Sequence, residues 1–346
     1  MQLLRFLLER MKKTYYLFNS GRLSRQDNTL KFTPVDQQGQ EGSARFLPVE
    51  NVAELYCFGS LDANSTLFNF LGKEGISVHF FDYYEHYTGS FCPREYLQAG
   101  RLQVAQALHY SKPKKRMALA CKVVEGAGFN MLKNLRYYQG RGRQLDACIA
   151  AIERHMMELS GAADVPTLMG LEGNIRQCYY AAFDDILQQD ELKLERRSKQ
   201  PPHNEVNALV SFGNMLCYTL CLDQLYHTQL SPTISFLHEP GERRFSLALD
   251  LAEIFKPLLV DRTIFSLLNK RQLSASDFDR KLNGIRLKEG GRKTFIQAWE
   301  ERLQQTIKHR SLGRSVSYKH LVRLECYKLS KHLLEIQPYE PFKAWW

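Results

Sequence analysis

The chain has 346 residues, 44% of them hydrophobic and 24% charged, which is ordinary for a soluble globular protein and enough for two domains with cores of their own. Its 47 Lys and Arg against 37 Asp and Glu give a formal charge of +10, which points to a polyanionic partner, nucleic acid first and an anionic membrane surface second. The absence of an 18-residue apolar run excludes a transmembrane helix, and eight cysteines without a CxxC pair read as buried thiols of a reducing cytoplasm.

The opening MQLLRFLLER is interrupted by Arg5, Glu9 and Arg10 and has no small-residue cleavage site, so residues 1–10 read as an upstream extension before Met11 rather than as a signal. Residues 11–95 carry short β-like runs, TYYLFN, TLKFTPV, ARFLPV, AELYCFG and ISVHFFD, punctuated by Gly, Asn, Asp and Pro. They predict a small β-rich domain with one helix from about Asn64, its N-cap, to Leu71. The aromatics of FFDYYEHYTGSF belong to strand faces in this reading.

From residue 96 to 346 the pattern is helical, so the expected fold class is α+β, with a larger all-helical C-terminal domain. LQAGRLQVAQALHY and KKRMALACKVVEGAGFNMLKNLRYYQ place Lys114, Lys115, Arg116, Lys122, Lys133 and Arg136 outside, a candidate surface for a DNA backbone. VPTLMGLEGNIRQCYYAAFDDIL follows, with Glu172 near its start between Gly170 and Gly173. Those glycines weaken a helix by about 1 kcal/mol each, so close approach of a backbone or a ligand is a natural reason for them. An acid in a first turn also has the plain role of complementing the helix dipole. VNALVSFGNMLCYTLCLDQLY is apolar nearly all round and predicts a buried central helix, with Asn207 as a cap or a donor into a nearby site. KLNGIRLKEGGRKT reads as a turn, two further helices follow, and PYEPFKAWW is an aromatic tail that docks a partner or packs back.

Chemistry concentrates between Ile234 and Arg262. Phe245, Ala248, Leu249, Ala252, Phe255 and Leu259 recur at helical spacing, with Asp250 and Glu253 off that stripe on one shared face. Pro257 has no N–H and bends the helix one turn beyond Glu253. The turn Glu239-Pro-Gly-Glu242 sets His238 where it can fold back onto the acids, a partial site for Mg²⁺ or Mn²⁺. Spacing alone also suits a satisfied histidine beside a solvated acidic face.

Four ordered motifs decide between these readings. Leu168-Met-Gly-Leu-Glu-Gly173, Lys199-Gln-Pro-Pro-His-Asn-Glu-Val-Asn-Ala-Leu-Val-Ser-Phe-Gly213, Phe236-Leu-His238 and the run from Ser246 to Arg262 resemble those of the CRISPR-associated integrases, the Cas-one family. The resemblance implies a metal-dependent DNA endonuclease and integrase that inserts captured foreign DNA into a CRISPR array with a small Cas-two partner. It implies metal ligation by Glu172, His238 and Glu253, with Asp250 as the nearby second acid and Lys256 as the base one turn on. It also implies a homodimer, formed through the β domain. The family's proline-rich motif is more often RRPP, so the phosphate contact of its arginine passes here to Arg196 or Arg197. The family's GKI.NQ-like segment is here GAGFN, Gly126 to Asn130, without the lysine.

The residues supply a mechanism that agrees with this. A DNA 3′ hydroxyl is the nucleophile of integration, so the site needs a cation and positioning rather than a protein nucleophile. Asp250 is a candidate acceptor that fixes the tautomer of His238. Lys256, Arg243, Arg244 and Arg262 lie within one or two turns of the acids, where they can neutralise phosphates, and Arg262 competes for a structural role beside Asp261 or a helix end. A branched-DNA repair nuclease and a non-catalytic DNA scaffold are the alternatives. No membrane partner is expected.

Overall fold

The computed structural model describes residues 12–36, 38–82, 84–93, 100–189, 191–198, 201–241, 245–281, 284–309 and 312–345. The proposed extension, residues 1–10, and Arg243 and Arg244 lie outside them. The chain divides into two compact units, one up to residue 98 and one from residue 99 onward.

The first unit holds two four-stranded sheets. In one, β1 (Lys13–Leu17), β5 (Val52–Cys57) and β7 (Ser77–Phe81) run parallel, and β8 (Tyr87–Phe91) joins antiparallel. In the other, β2 (Gly21–Gln26), β3 (Thr29–Pro34) and β4 (Arg45–Pro48) form an antiparallel meander, with β6 (Leu61–Asp62) parallel to β2. Alternation places Leu23, Leu30, Phe32, Leu55 and Val78 in one buried cluster with Leu67 and Leu71 of α1 (Ser65–Glu74). Asn64 caps α1 by accepting from the Leu67 N–H at 3.0 Å. The strand runs read from sequence correspond to β1, β3, β4, β5 and β7. The polar β2 and the Gly- and Ser-bearing β8 lack the hydrophobic alternation that marks the others. Phe81 stacks on Phe58 at 4.5 Å and on Tyr56 at 5.7 Å, so these aromatics serve sheet faces.

The second unit is mainly helical: α2 (Gly100–Ser111), α3 (Pro113–Gln139), α4 (Asp146–Glu158), α5 (Val165–Ala181), the short α6 (Phe183–Ile186), α7 (Glu205–Tyr226), α8 (Ser246–Lys256), α9 (Arg262–Asn269), α10 (Glu289–Gln304) and α11 (Tyr318–Leu333). It is not all helical, which corrects the sequence reading. Phe278–Lys281 pairs antiparallel with Gly284–Leu287, and Thr306–Lys308 with Ser315–Ser317. The segment read as a turn, KLNGIRL, alternates Gly284, Ile285, Arg286 and Leu287, and Ile285 and Leu287 are the buried pair. That is strand patterning too short to separate from a loop by eye.

α7 is buried on nearly every face and serves as the central post. α8 packs against both α7 and α3. α8 is itself buried almost all round rather than along one stripe, so Asp250 and Glu253 are buried acids at 1% and 6% exposure, not members of a solvated face. After Pro257 the helix widens into a π-helical turn, Pro257–Asp261, the distortion expected where a proline N–H is missing. A Cβ at Gly213 would fall 2.4 Å from the Val260 Cγ1, so α7 meets that turn only because residue 213 is glycine.

The C-terminal tail packs back on its own unit. Tyr339 and Phe342 are buried, Glu325 accepts from the Tyr339 hydroxyl at 2.7 Å and the Phe342 N–H at 3.0 Å, and the Phe342 ring stacks 5.8 Å from Phe255 of α8. GAGFN is the dock. Gly126 lies against Pro341, where a Cβ would come within 2.7 Å, and Asn130 donates to the carbonyls of Phe342 and Ile254 while accepting from the Ala344 N–H.

Candidate active site

The site is built where α5, α8 and the segment Phe236–His238 supply their polar groups. Asp164 caps α5 by accepting from the Thr167 N–H at 2.8 Å, so Glu172 lies two turns inside the helix. The dipole role considered for Glu172 therefore falls away, because that place in the first turn is already filled by the cap. Among the described residues no heavy atom comes within 4 Å of where a Cβ would stand at Gly170 or Gly173, so none of them makes the close approach read into these glycines. They leave open space beside Glu172.

Glu172 and Glu253 are brought together by Arg176. Its Nη2 lies 2.6 Å from Glu172 Oε1 and also bonds Glu253 Oε2, while its Nε donates to Glu172 Oε1 at 2.7 Å. One cationic nitrogen thus sits between two carboxylates. Lys256 donates to the other oxygen of Glu253 at 2.8 Å. Burial alone would lower the Arg176 pKa, but Glu172 and Tyr180 raise it above its ordinary value; burial, with Arg176 nearby, lowers that of Lys256. Arg176 was missed in the sequence, although its place four residues after Glu172 on one helix is a signal for such a pair.

His238 is held by Asp250. Oδ2 of Asp250 accepts the N–H groups of Phe236 and Leu237 at 2.7 and 3.0 Å, and Oδ1 accepts the His238 N–H at 3.0 Å and meets the His238 Nδ1 at 2.9 Å. With every other partner of Asp250 a donor and its carboxylate the acceptor, Nδ1 is the donor in that contact, which in a neutral ring leaves the lone pair on Nε2. Asp250 is thereby a positioning residue with both oxygens committed. The same segment is gripped from α2 and α3, since Arg116 donates to the Phe236 carbonyl at 2.9 Å and to Glu239 at 2.6 Å, and the Tyr110 hydroxyl donates to Glu239 at 2.5 Å. Glu172, Glu253 and His238 are not drawn into a common set with every ligand atom within 4.8 Å of the others.

The basic residues divide by partner. Arg116, Lys115, Lys122 and Arg136 of the candidate DNA-facing surface pair with Glu239, Glu335, Glu340 and Glu153. Arg262 donates to Asn134 Oδ1 at 2.8 Å and stacks over Tyr137, so its partner is Asn134 rather than Asp261. Arg197 is half-buried and donates to Asn207 Oδ1 at 2.9 Å and Ser211 Oγ at 3.1 Å, whereas Arg196 is exposed. Asn204, not Asn207, caps α7; Asn207 instead ties down the Arg196–Ser198 backbone through the Arg196 carbonyl and the Ser198 N–H, both at 2.8 Å.

Two carboxylates that already converge on one cation are a pair that suits an oxygen-preferring divalent ion such as Mg²⁺ or Mn²⁺. No described helix is long and apolar enough to cross a membrane. Of the cysteines read as buried thiols, Cys57, Cys217, Cys221 and Cys326 are buried, whereas Cys92, Cys121, Cys148 and Cys178 are half-buried.

Comparison with known proteins agrees with the motifs. The family model described as CRISPR associated protein Cas1 matches residues 15–301. A relative from Fusobacterium nucleatum subsp. nucleatum, named CRISPR-associated endonuclease Cas1, is 46% identical over 336 residues, covering 97% of this chain and 98% of the relative. A Cas1 protein structure from Thermotoga maritima superposes with a TM-score of 0.83 at 37% identity, covering 95% of this chain and all of the other. A casposase bound to integration product shares the fold at a TM-score of 0.80 and 20% identity, covering 96% and 93% of the two chains.

Proposed function

The chain belongs to the Cas1 family, and from that premise we propose that it is a divalent-metal-dependent DNA endonuclease and integrase, which joins the 3′ hydroxyl of captured DNA to a phosphodiester in a CRISPR repeat. The observation that carries this reading is the convergence of Glu172 and Glu253 on one cationic position, with the His238 ring separately oriented by Asp250. Glu172, Glu253 and His238 Nε2 are the residues to hold Mg²⁺ or Mn²⁺, which when bound would polarise the scissile phosphate and ease the charge on the attacking or leaving oxygen.

The chain's own residues do the rest by positioning. Asp250 fixes the His238 ring through Nδ1 and the backbone around it through three further hydrogen bonds, so the imidazole is presented without a search over rotamers. Lys256 stays on Glu253 and balances its charge. The open faces of Gly170 and Gly173 admit a DNA backbone next to Glu172. Arg196, exposed at the end of a backbone segment that Asn207 holds, is placed to take a phosphate. The attacking group belongs to DNA, and water in its place gives hydrolysis at the same site. The working assembly in this proposal is a homodimer with a small Cas-two partner, acting on double-stranded DNA.

The test compares the purified protein with Glu172→Ala and His238→Ala on labelled duplex bearing a free 3′ hydroxyl and a repeat-containing plasmid, with Mn²⁺ or with EDTA. Metal-dependent joining that both substitutions abolish while DNA binding survives is the expected result. Strong DNA binding with no joining or cleavage under any metal, even with the small partner added, overturns it in favour of a scaffold.

A further inference from the structure

Arg176 is a cation placed where a metal ligand set meets. The four charged groups in direct contact are Glu172, Glu253, Arg176 and Lys256, two negative and two positive, so the cluster is balanced in the free protein without any ion. Arg176 is partly covered, its side chain 19% exposed, and the Glu172 and Glu253 side chains are 18% and 7% exposed. A divalent ion added to this set would leave a surplus of two positive charges in a poorly solvated place, which is unfavourable unless a cation leaves or an anion arrives. Lys256 is tied to Glu253 from within the same helix, one turn on. Arg176 is on another helix, and a guanidinium has a flexible stem and a strong match to phosphate.

We propose that Arg176 is the internal counter-cation of the metal site: in the free protein its Nη2 holds the place between Glu172 and Glu253, and DNA phosphate draws the guanidinium away and opens that place to the divalent ion. This rests on the reading of Glu172 and Glu253 as ligands. Metal and DNA then bind cooperatively, and by linkage each raises the affinity of the other by one factor. The device keeps the free enzyme metal-poor and so limits hydrolysis of DNA that is not correctly seated. Arg176 is a positioning residue in this scheme, and its released guanidinium is an added phosphate contact in the complex.

The experiment measures Mn²⁺ binding by the EPR signal of free Mn²⁺, on the full chain, with and without a duplex whose 3′ ends are dideoxy-terminated so that no joining occurs. For the unmodified chain the duplex should tighten Mn²⁺ binding roughly tenfold, within the 5–150-fold range of coupled sites. Arg176→Gln should bind Mn²⁺ roughly tenfold more tightly without DNA, and the effect of the duplex should shrink toward none. Glu172→Gln should lose the site in both conditions. Mn²⁺ affinity of the unmodified chain that is indifferent to the duplex overturns the inference, as does a folded Arg176→Gln that binds Mn²⁺ no better. Glu172→Gln that keeps full Mn²⁺ affinity overturns the ligand assignment itself, a separate result.

Discussion

Asp250 and Glu253 stand three residues apart on one buried helix, yet their charges are met in opposite ways. Asp250 is surrounded by fixed donors, three backbone N–H groups and the His238 ring, all within one short segment. Glu253 faces two side-chain cations, Arg176 from another helix and Lys256 from the next turn. An acid closed by backbone amides has no coordination left to offer, whereas one closed by side-chain cations can exchange them for another cation. The type of partner, rather than burial or spacing, is what sets the proposed ligand Glu253 apart from Asp250.

The largest effect expected from this contrast is catalytic. Glu172→Ala or Glu253→Ala removes an oxygen donor from the exchangeable pair, and a loss of several kcal/mol of transition-state stabilisation corresponds to roughly 10³ in single-turnover joining rate. Asp250→Asn keeps the shape but replaces one acceptor oxygen by a donor, which disturbs the His238 tautomer and should cost about 10- to 100-fold. Equal losses for the two would break the distinction.

Stability should rank them the other way. Asp250→Ala leaves three buried backbone N–H groups and a ring N–H without their acceptor, at about 3 kcal/mol or more in urea unfolding, since hydrogen bonds to charged groups contribute roughly 1.5–3 kcal/mol each before relaxation. A folded Asp250→Ala within about 1 kcal/mol of the parent would show that the segment Phe236–His238 holds itself.

Asp261 sharpens the comparison by one further case. Burial pushes its carboxyl up to about 7 from 3.8, against Tyr179, Arg176, Lys256 and Arg197, which lower it. The raised value means that the folded chain keeps a proton between pH 4 and 7 that the unfolded chain has released. Stability contributed by the neutral acid is therefore lost as pH rises through that window, by about 2 kcal/mol between pH 5 and 7 for a single proton. Asp261→Asn should flatten that part of the stability profile, and an unchanged slope would place the titration elsewhere.

The local devices of this fold were legible because they are written in neighbours. Asn64 as the cap of α1, the buried character of α7 and the distortion at Pro257 all depend on residues within a turn of one another. The proposed ligands were named through family motifs, but their surroundings were not legible, because Arg176, Asn134 and Arg116 act across 77, 128 and 120 residues of sequence. The glycines of GAGFN show the same limit. Gly126 and Asn130 serve the C-terminal tail some 212 residues away, a contact that no local pattern announces. Short hairpins such as Phe278–Leu287 were lost for a different reason, since four residues of alternation carry too little periodic signal to be told from a turn.

The smallest effect concerns two adjacent arginines, both candidates for the phosphate contact, that the structure treats differently. Arg196 is exposed and its carbonyl accepts from Asn207; the Arg197 side chain is bound to Asn207 and Ser211 of α7. Arg196→Ala should therefore leave the unfolding midpoint unchanged and lower the salt slope of DNA binding by about one, the release of one counterion. Arg197→Ala should lower thermal stability by about 1 kcal/mol through the lost hydrogen bonds to α7, and alter DNA affinity only as the Arg196–Ser198 segment loosens. Binding isotherms from 50 to 200 mM salt with paired melting curves separate the two. A slope change confined to Arg197→Ala would mean that its bonds to α7 open in the complex, which would place it with Arg176 among the side chains that exchange a protein partner for phosphate.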